Sequence, residues 1–151
     1  MPQKDVILEL PSALSSVAEL DDFVNQLMHR HHLNEEVQGN LLVSLTEAVT
    51  NAISHGNQFD AEKSVRVEVY REKTQLKVLV IDEGCGFEPD SIPDPTQGEA
   101  LEKEGGRGVF LMKLLSDKIA FHDKGRAVEM CYSCARSGSN NTVRSSSAVS
   151  A

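Results

Sequence analysis

The chain has 151 residues, of which 25% are charged and 40% apolar, and carries a formal net charge of −8. That length fits one domain able to bury about 70% of its unfolded surface, so no disulfide or metal staple is needed for folding. The acidic balance argues against nucleic acid as a partner, because it repels phosphate backbones, and no apolar run is long enough to span a bilayer.

The first five residues, Met1 to Asp5, lack the apolar centre of a signal peptide, which leads us to expect a cytoplasmic protein. Residues 4–10 read as a short strand closed by Pro11. A helix follows. Ser16 and Glu19 have the spacing of a capping box, and Val17, Leu20, Val24, Leu27 and His31 recur behind them at helical intervals. The cluster His29-Arg-His-His32 ends this helix, where basic groups suit the negative end of the dipole.

Asn34 reads as the N-cap of a longer second helix, with Glu35 and Glu36 in its first turn. Val37, Leu41, Leu45, Ala48, Ala52 and Ile53 form its apolar stripe, and Gly56 is its natural stop. Val65, Val67 and Val69 alternate with polar neighbours as in a half-buried strand, and residues 76–81 read as a central strand. Residues 83–104 have little periodicity, and a segment of that length inside a compact domain reads as a lid or as disordered. A helix over 109–115 follows, then strands over 118–122 and 126–134 joined by the hairpin turn Asp123-Lys-Gly125. Residues 135–151 are rich in Ser and Asn and read as a disordered tail beyond a domain of residues 1–134. The element order implies a two-layer α+β sandwich, with helices covering one face of a mixed, mostly antiparallel sheet.

Three cysteines are present. Cys131 and Cys134 have CxxC spacing, but they fall in a strand pattern, where positions i and i+3 face opposite sides. No second pair completes a tetrahedral zinc set, so two free thiols are expected.

Three segments carry chemistry. On the second helix Glu47, Asn51 and His55 are four apart and share one face. No Lys or Arg occurs between Leu41 and Phe59, so this carboxylate, carboxamide and imidazole stripe is open to an external cation, and oxygen donors suit Mg²⁺. In the second segment an apolar strand runs into Asp82-Glu-Gly84-Cys-Gly86. Its glycines permit close approach of backbone to a ligand, and its carboxylate can accept from an exocyclic amine. The third, Gly105-Gly-Arg107-Gly108, precedes a helix and exposes N–H groups at a positive dipole end. It is neither a P-loop nor a dinucleotide fingerprint. Singly, each segment also fits a plain structural role: polar residues flanking a core helix, a strand-to-turn transition, a hinge. The structural role favoured for His55 is to cap or pack the helix end.

Taken together and in order, these segments resemble the GHKL ATPase/kinase superfamily. Glu47-Ala-Val-Thr-Asn51-Ala-Ile-Ser-His55-Gly56 is similar to its N-box, Asp82-Glu-Gly84-Cys-Gly86-Phe to its first glycine box, and Gly106-Arg-Gly108-Val-Phe-Leu-Met-Lys to its second. In length, box spacing and wording the chain most resembles the small bacterial anti-sigma factor serine/threonine kinases of the sporulation and general-stress type, over residues 4–132. The resemblance implies ATP and Mg²⁺ as cofactors. Asn51 would coordinate the metal, Asp82 would accept from the adenine amino group, and Gly84 and Gly86 would let backbone pass the base. Gly106 and Gly108 would hold phosphates, residues 88–104 would form the lid, and Glu47 would be the general base toward a serine hydroxyl. The lid of these kinases carries an arginine shortly before the second glycine box. Here the stretch is Glu102-Lys103-Glu104-Gly105, and Lys103 and Arg107 are the candidates for that phosphate contact.

The implied partners are a sigma factor and a STAS-type anti-anti-sigma protein, with a homodimer implied as well. Two alternatives remain open at this level. One is a non-catalytic ATP-binding module that sequesters a partner. The other, less favoured, is the catalytic domain of a sensor histidine kinase: only about thirty-five residues precede the second helix, and the His29 to His32 cluster is not followed by a helical hairpin.

Overall fold

The computed structural model describes residues 3–85 and 104–134. The expected tail at 135–151 and most of the expected lid lie outside those residues. The elements run β1 (Gln3–Pro11), a 3₁₀ turn (Leu14–Glu19), α1 (Leu20–His31), α2 (Glu35–Asn51), a π-helical turn (Ala52–Gly56), β2 (Ser64–Arg71), β3 (Gln75–Ile81), α3 (Glu104–Leu115), β4 (Lys118–His122) and β5 (Ala127–Ser133).

The five strands form one sheet in the order β1-β2-β3-β5-β4, and all four ladders are antiparallel. Period-2 alternation puts one apolar set on one face. Val6, Val69, Val78, Met130 and Ile119 lie in a row across the sheet, and Leu8, Val67, Val80, Val128 and Phe121 in the next. Against these rows pack Leu20, Phe23, Val24 and Leu27 of α1, Leu41, Leu45, Ala48 and Val49 of α2, and Val109 and Met112 of α3. This is the expected two-layer α+β sandwich. Each fully buried leucine in it contributes about 2 kcal/mol relative to exposure.

The helix ends show which local signals act. Asn34 caps α2 as read, its Oδ1 accepting from the Val37 N–H at 2.9 Å. Ser16 does not cap α1. Its hydroxyl donates to the Pro11 carbonyl at 2.8 Å, tying the 3₁₀ turn back to the end of β1. The helix starts instead at Leu20, with no side-chain cap on Glu19. The 3₁₀ turn runs straight into α1, so its carbonyls are available to the first helical N–H groups and the cap is dispensable.

Cys131 and Cys134 are both free and buried, as is expected of strand thiols. Cys134 lies in the core between sheet and helices, whereas the Cys131 thiol points to Glu129 on the open face of the sheet. Among the described residues no group of three or more His, Cys, Asp or Glu could hold a metal ion. No helix among them is long and apolar enough to cross a membrane.

Candidate functional site

The C-terminal third of α2 runs along the end of the sheet where β1 and β3 finish and β2 and β5 begin. Two of the three chemical segments close on it there. At its outer end, Gly56 faces Asp82: a β-carbon on Gly56 would stand 2.4 Å from both Cγ and Oδ2 of that carboxylate. A β-carbon on Gly84 would meet the Gly56 carbonyl oxygen at 1.9 Å, so these two backbones touch. Glycine is required at both positions by this close approach. Gly56 ends the helical stretch as expected, without a positive φ; the only glycine among the described residues that has one is Gly125, in the β4–β5 turn.

The α-helical part of α2 ends at Asn51, and the Asn57 N–H then donates to the Ala52 carbonyl across a wider, π-type turn. His55 lies in that turn and stands exposed, so it is not packed into the helix end as expected.

Asp82 follows the last residue of β3, and its Oδ1 accepts from the Gly84 N–H at 2.8 Å. Burial pushes its carboxyl above the ordinary aspartate value. The Gly84 N–H, then the Arg126 and Lys63 cations, pull it back in part. Two residues missed at the sequence level hold this corner. Asn57 is 1% exposed, and its amide donates to Ser12 Oγ at 2.6 Å and to the Ser64 carbonyl at 2.9 Å while its oxygen accepts from the Glu83 N–H at 2.7 Å. Arg126 donates from Nε to the Gly84 carbonyl at 2.8 Å and from Nη2 to the Cys85 carbonyl at 3.3 Å. The signal for Asn57 was an amide immediately after a helix end. For Arg126 there was none, because its role depends on β5 pairing beside β3.

At the inner end, α3 packs along α2, and Gly108 is the point of contact. A β-carbon there would stand 3.0 Å from Asn51 Nδ2 and 3.1 Å from Glu47 Oε2. Glu47 and Asn51 are thus brought together under the start of α3, both half-buried. The glycine run expected as a turn before a helix is instead part of it, since α3 starts at Glu104. Residues 104–107 form its first turn, whose N–H groups have no intrahelical acceptor and so remain able to bind an anion. Of the predicted site residues, the structure places Glu47, Asn51, Asp82, Gly84 and Gly108 along one side of α2 and the turn that follows it. Gly106 and Arg107 lie in the first turn of α3. Gly86 and Lys103 fall outside the described residues, as do the side chains of residues 104–107.

The donor set fits a small hard cation. Asn51 brings a carboxamide oxygen beside the Glu47 carboxylate, and Mg²⁺ takes one or two protein oxygens beside phosphates and water. The arrangement thus sets an acidic acceptor at a strand end, close-packed glycines and a helix N-terminus beside a carboxamide on an α+β sandwich.

The chain belongs to the family described as histidine kinase-like ATPase domain, which it matches over residues 10–132. Its relatives include a serine-protein kinase RsbW from Listeria innocua, 26% identical over 132 residues, with 83% of this chain and 84% of that one covered. The RsbW of Bacillus subtilis is 33% identical over 87 residues, 52% of this chain and 53% of its own. An anti-sigma F factor of Bacillus thuringiensis is 37% identical over 78 residues, 50% of this chain and 53% of its own. Among solved structures, a Mycobacterium tuberculosis protein with RsbU and RsbW domains superposes with a TM-score of 0.55 at 14% identity. That match covers 86% of this chain and 32% of the longer one, and shows a shared fold.

Proposed function

We propose that this chain is a cytoplasmic Mg-ATP-dependent serine/threonine protein kinase and anti-sigma factor, whose substrate is a STAS-domain anti-anti-sigma protein. The observation that carries the reading is the seating of Gly108 over both Glu47 and Asn51, which joins the second glycine segment to the helix stripe. In this reading Asp82 accepts from the adenine amino group, Gly84 and Gly86 pass the base, and Gly106 and Gly108 face the phosphates. Asn51 holds Mg²⁺, which when bound neutralises charge on the phosphates. Lys103 and Arg107 supply the cationic contact from the lid side.

Glu47 takes the proton of a serine hydroxyl as its oxygen bonds to the γ-phosphorus and the bond to the β-phosphate oxygen breaks, releasing ADP. A positioned base is worth on the order of 10² to 10⁴-fold in rate, and most of the remainder comes from alignment and charge neutralisation. The names of the relatives support both halves of the proposal, kinase and anti-sigma factor. A homodimer is part of the same proposal.

The test is to mix the chain, Mg-ATP and a STAS-domain partner and to look for phosphoserine, with Glu47→Gln alongside. The proposal expects transfer by the unaltered chain and a loss of two or more orders of magnitude in Glu47→Gln at unchanged ATP affinity. If ATP binds but no phosphoserine forms with a partner that the chain demonstrably captures, the chain is a binding module and the kinase reading is wrong.

A further inference from the structure

We propose that Arg126 is the positioning residue of the base pocket: by gripping the Asp82-to-Cys85 turn through its carbonyls, it sets the selectivity of Asp82 for a 6-aminopurine over a 6-oxopurine. This rests on the nucleotide-binding reading above.

Asn57 holds the Glu83 N–H of this turn and Ser64 donates to the Glu83 carboxylate, but neither reaches the carbonyls that follow. β3 ends at Ile81, so the carbonyls of Gly84 and Cys85 lie beyond the sheet ladder. Arg126 reaches them from the start of the neighbouring strand and grips the turn at both ends. Its main-chain oxygen accepts from the Asp82 N–H at 2.8 Å. Its guanidinium donates to Gly84 O at 2.8 Å and Cys85 O at 3.3 Å. The third nitrogen, Nη1, is anchored on Asp123 Oδ1 at 3.0 Å, which fixes the plane of the fork. Arg is the side chain suited to this, because its donors are rigidly coplanar, whereas a lysine ammonium is a single point.

Holding Gly84 in turn holds Asp82, because the Gly84 N–H is hydrogen-bonded to Asp82 Oδ1 at 2.8 Å. A carboxylate fixed in this way accepts from a 6-amino group and opposes a 6-oxo group, which would leave two acceptors face to face without a proton. A site built around one hydrogen-bonding pattern rejects the analogue lacking it because buried polar groups are then left unpaired. A loosened turn lets the carboxylate move aside, and this discrimination fades. The charge acts in the same direction: Arg126 and Lys63 favour the ionised carboxylate, against Asp123 and burial.

The experiment is a calorimetric competition of ATP and GTP, in the presence of Mg²⁺, on the full chain and on Arg126→Gln and Arg126→Lys. Far-UV circular dichroism and thermal midpoints are recorded for each. The proposal expects Arg126→Gln to weaken ATP on the order of tenfold, the size of one charged hydrogen bond, with little change for GTP, so that the ATP:GTP preference falls by the same factor. Arg126→Lys keeps the cation and the fold but cannot span both carbonyls, and is expected to lower the preference too. Equal weakening of both nucleotides would assign Arg126 a merely structural role and overturn the proposal, as would an unaltered preference in either variant. Absence of ATP binding in the unaltered chain would overturn both this inference and the reading beneath it.

Discussion

Gly108 of α3 lies so close over Asn51 of α2 that a β-carbon would stand 3.0 Å from the carboxamide nitrogen, and 3.1 Å from Glu47 Oε2. Two helices far apart in sequence thus meet at a point where one contributes only backbone and the other only polar side-chain ends. Gly108→Ala separates fold from function. Alanine is the better helix former by about 1 kcal/mol, and the groups it displaces are side-chain ends able to shift by a few tenths of an ångström. We predict a thermal midpoint within a few degrees of the unaltered chain, with Mg-ATP affinity lowered tenfold or more.

The two glycines at the other end of the groove differ in what a side chain would strike. At Gly56 it meets the carboxylate of Asp82, which can rotate away; at Gly84 it meets the backbone oxygen of Gly56 at 1.9 Å, which cannot. Gly56→Ala is therefore predicted to fold and to lose ATP binding. Gly84→Ala is predicted to be destabilised by about 2 kcal/mol or more, the range of core overpacking. Chemical denaturation of both variants, read beside an ATP titration, checks the contrast.

Asp82 carries a cost that its function explains. Burial raises its carboxyl above the ordinary value of 3.8, so the folded chain binds this proton more tightly than the unfolded one. Stability from this group therefore declines as pH rises from the unfolded value through the folded one, and the cost is fully present at neutral pH. Asp82→Asn removes it while retaining an oxygen for the Gly84 N–H. We predict a higher thermal midpoint than the unaltered chain at pH 7, a difference that shrinks as the pH falls through the raised value and is gone below the ordinary one, and loss of ATP binding. ATP affinity of the unaltered chain should fall as the pH drops through the raised value, since the proton then occupies the acceptor.

Much of this fold was legible because it is written in local chemistry. Alternating valines gave β2, Asn34 gave the start of α2, and Asp123 to Gly125 gave the last hairpin. The signals that misled were those with two physical uses. Ser16 has the hydroxyl of a cap but spends it on the Pro11 carbonyl. Gly56 does end the helical stretch, but its lack of a side chain also serves to admit Asp82. Gly105 and Gly106 read as a turn because glycine is a poor helix former, yet lie inside a helix packed along α2. Of the stripe Glu47, Asn51 and His55, the first two meet at Gly108, while His55 stands exposed in a π turn that no residue announces. Asn57 offered only the faint signal of an amide after a helix end, and Arg126 offered none, since its partners are set by which strands lie side by side.

The central claim is that the α2 stripe and the two glycine segments form one Mg-ATP site, and an ATP titration with and without Mg²⁺, repeated on Asn51→Ala, tests it most directly. The account predicts Mg²⁺-dependent binding in the unaltered chain, a loss of tenfold or more in Asn51→Ala when Mg²⁺ is present, and similar weak affinities for the two in excess chelator. An Asn51→Ala chain that binds Mg-ATP as tightly as the unaltered one would contradict it.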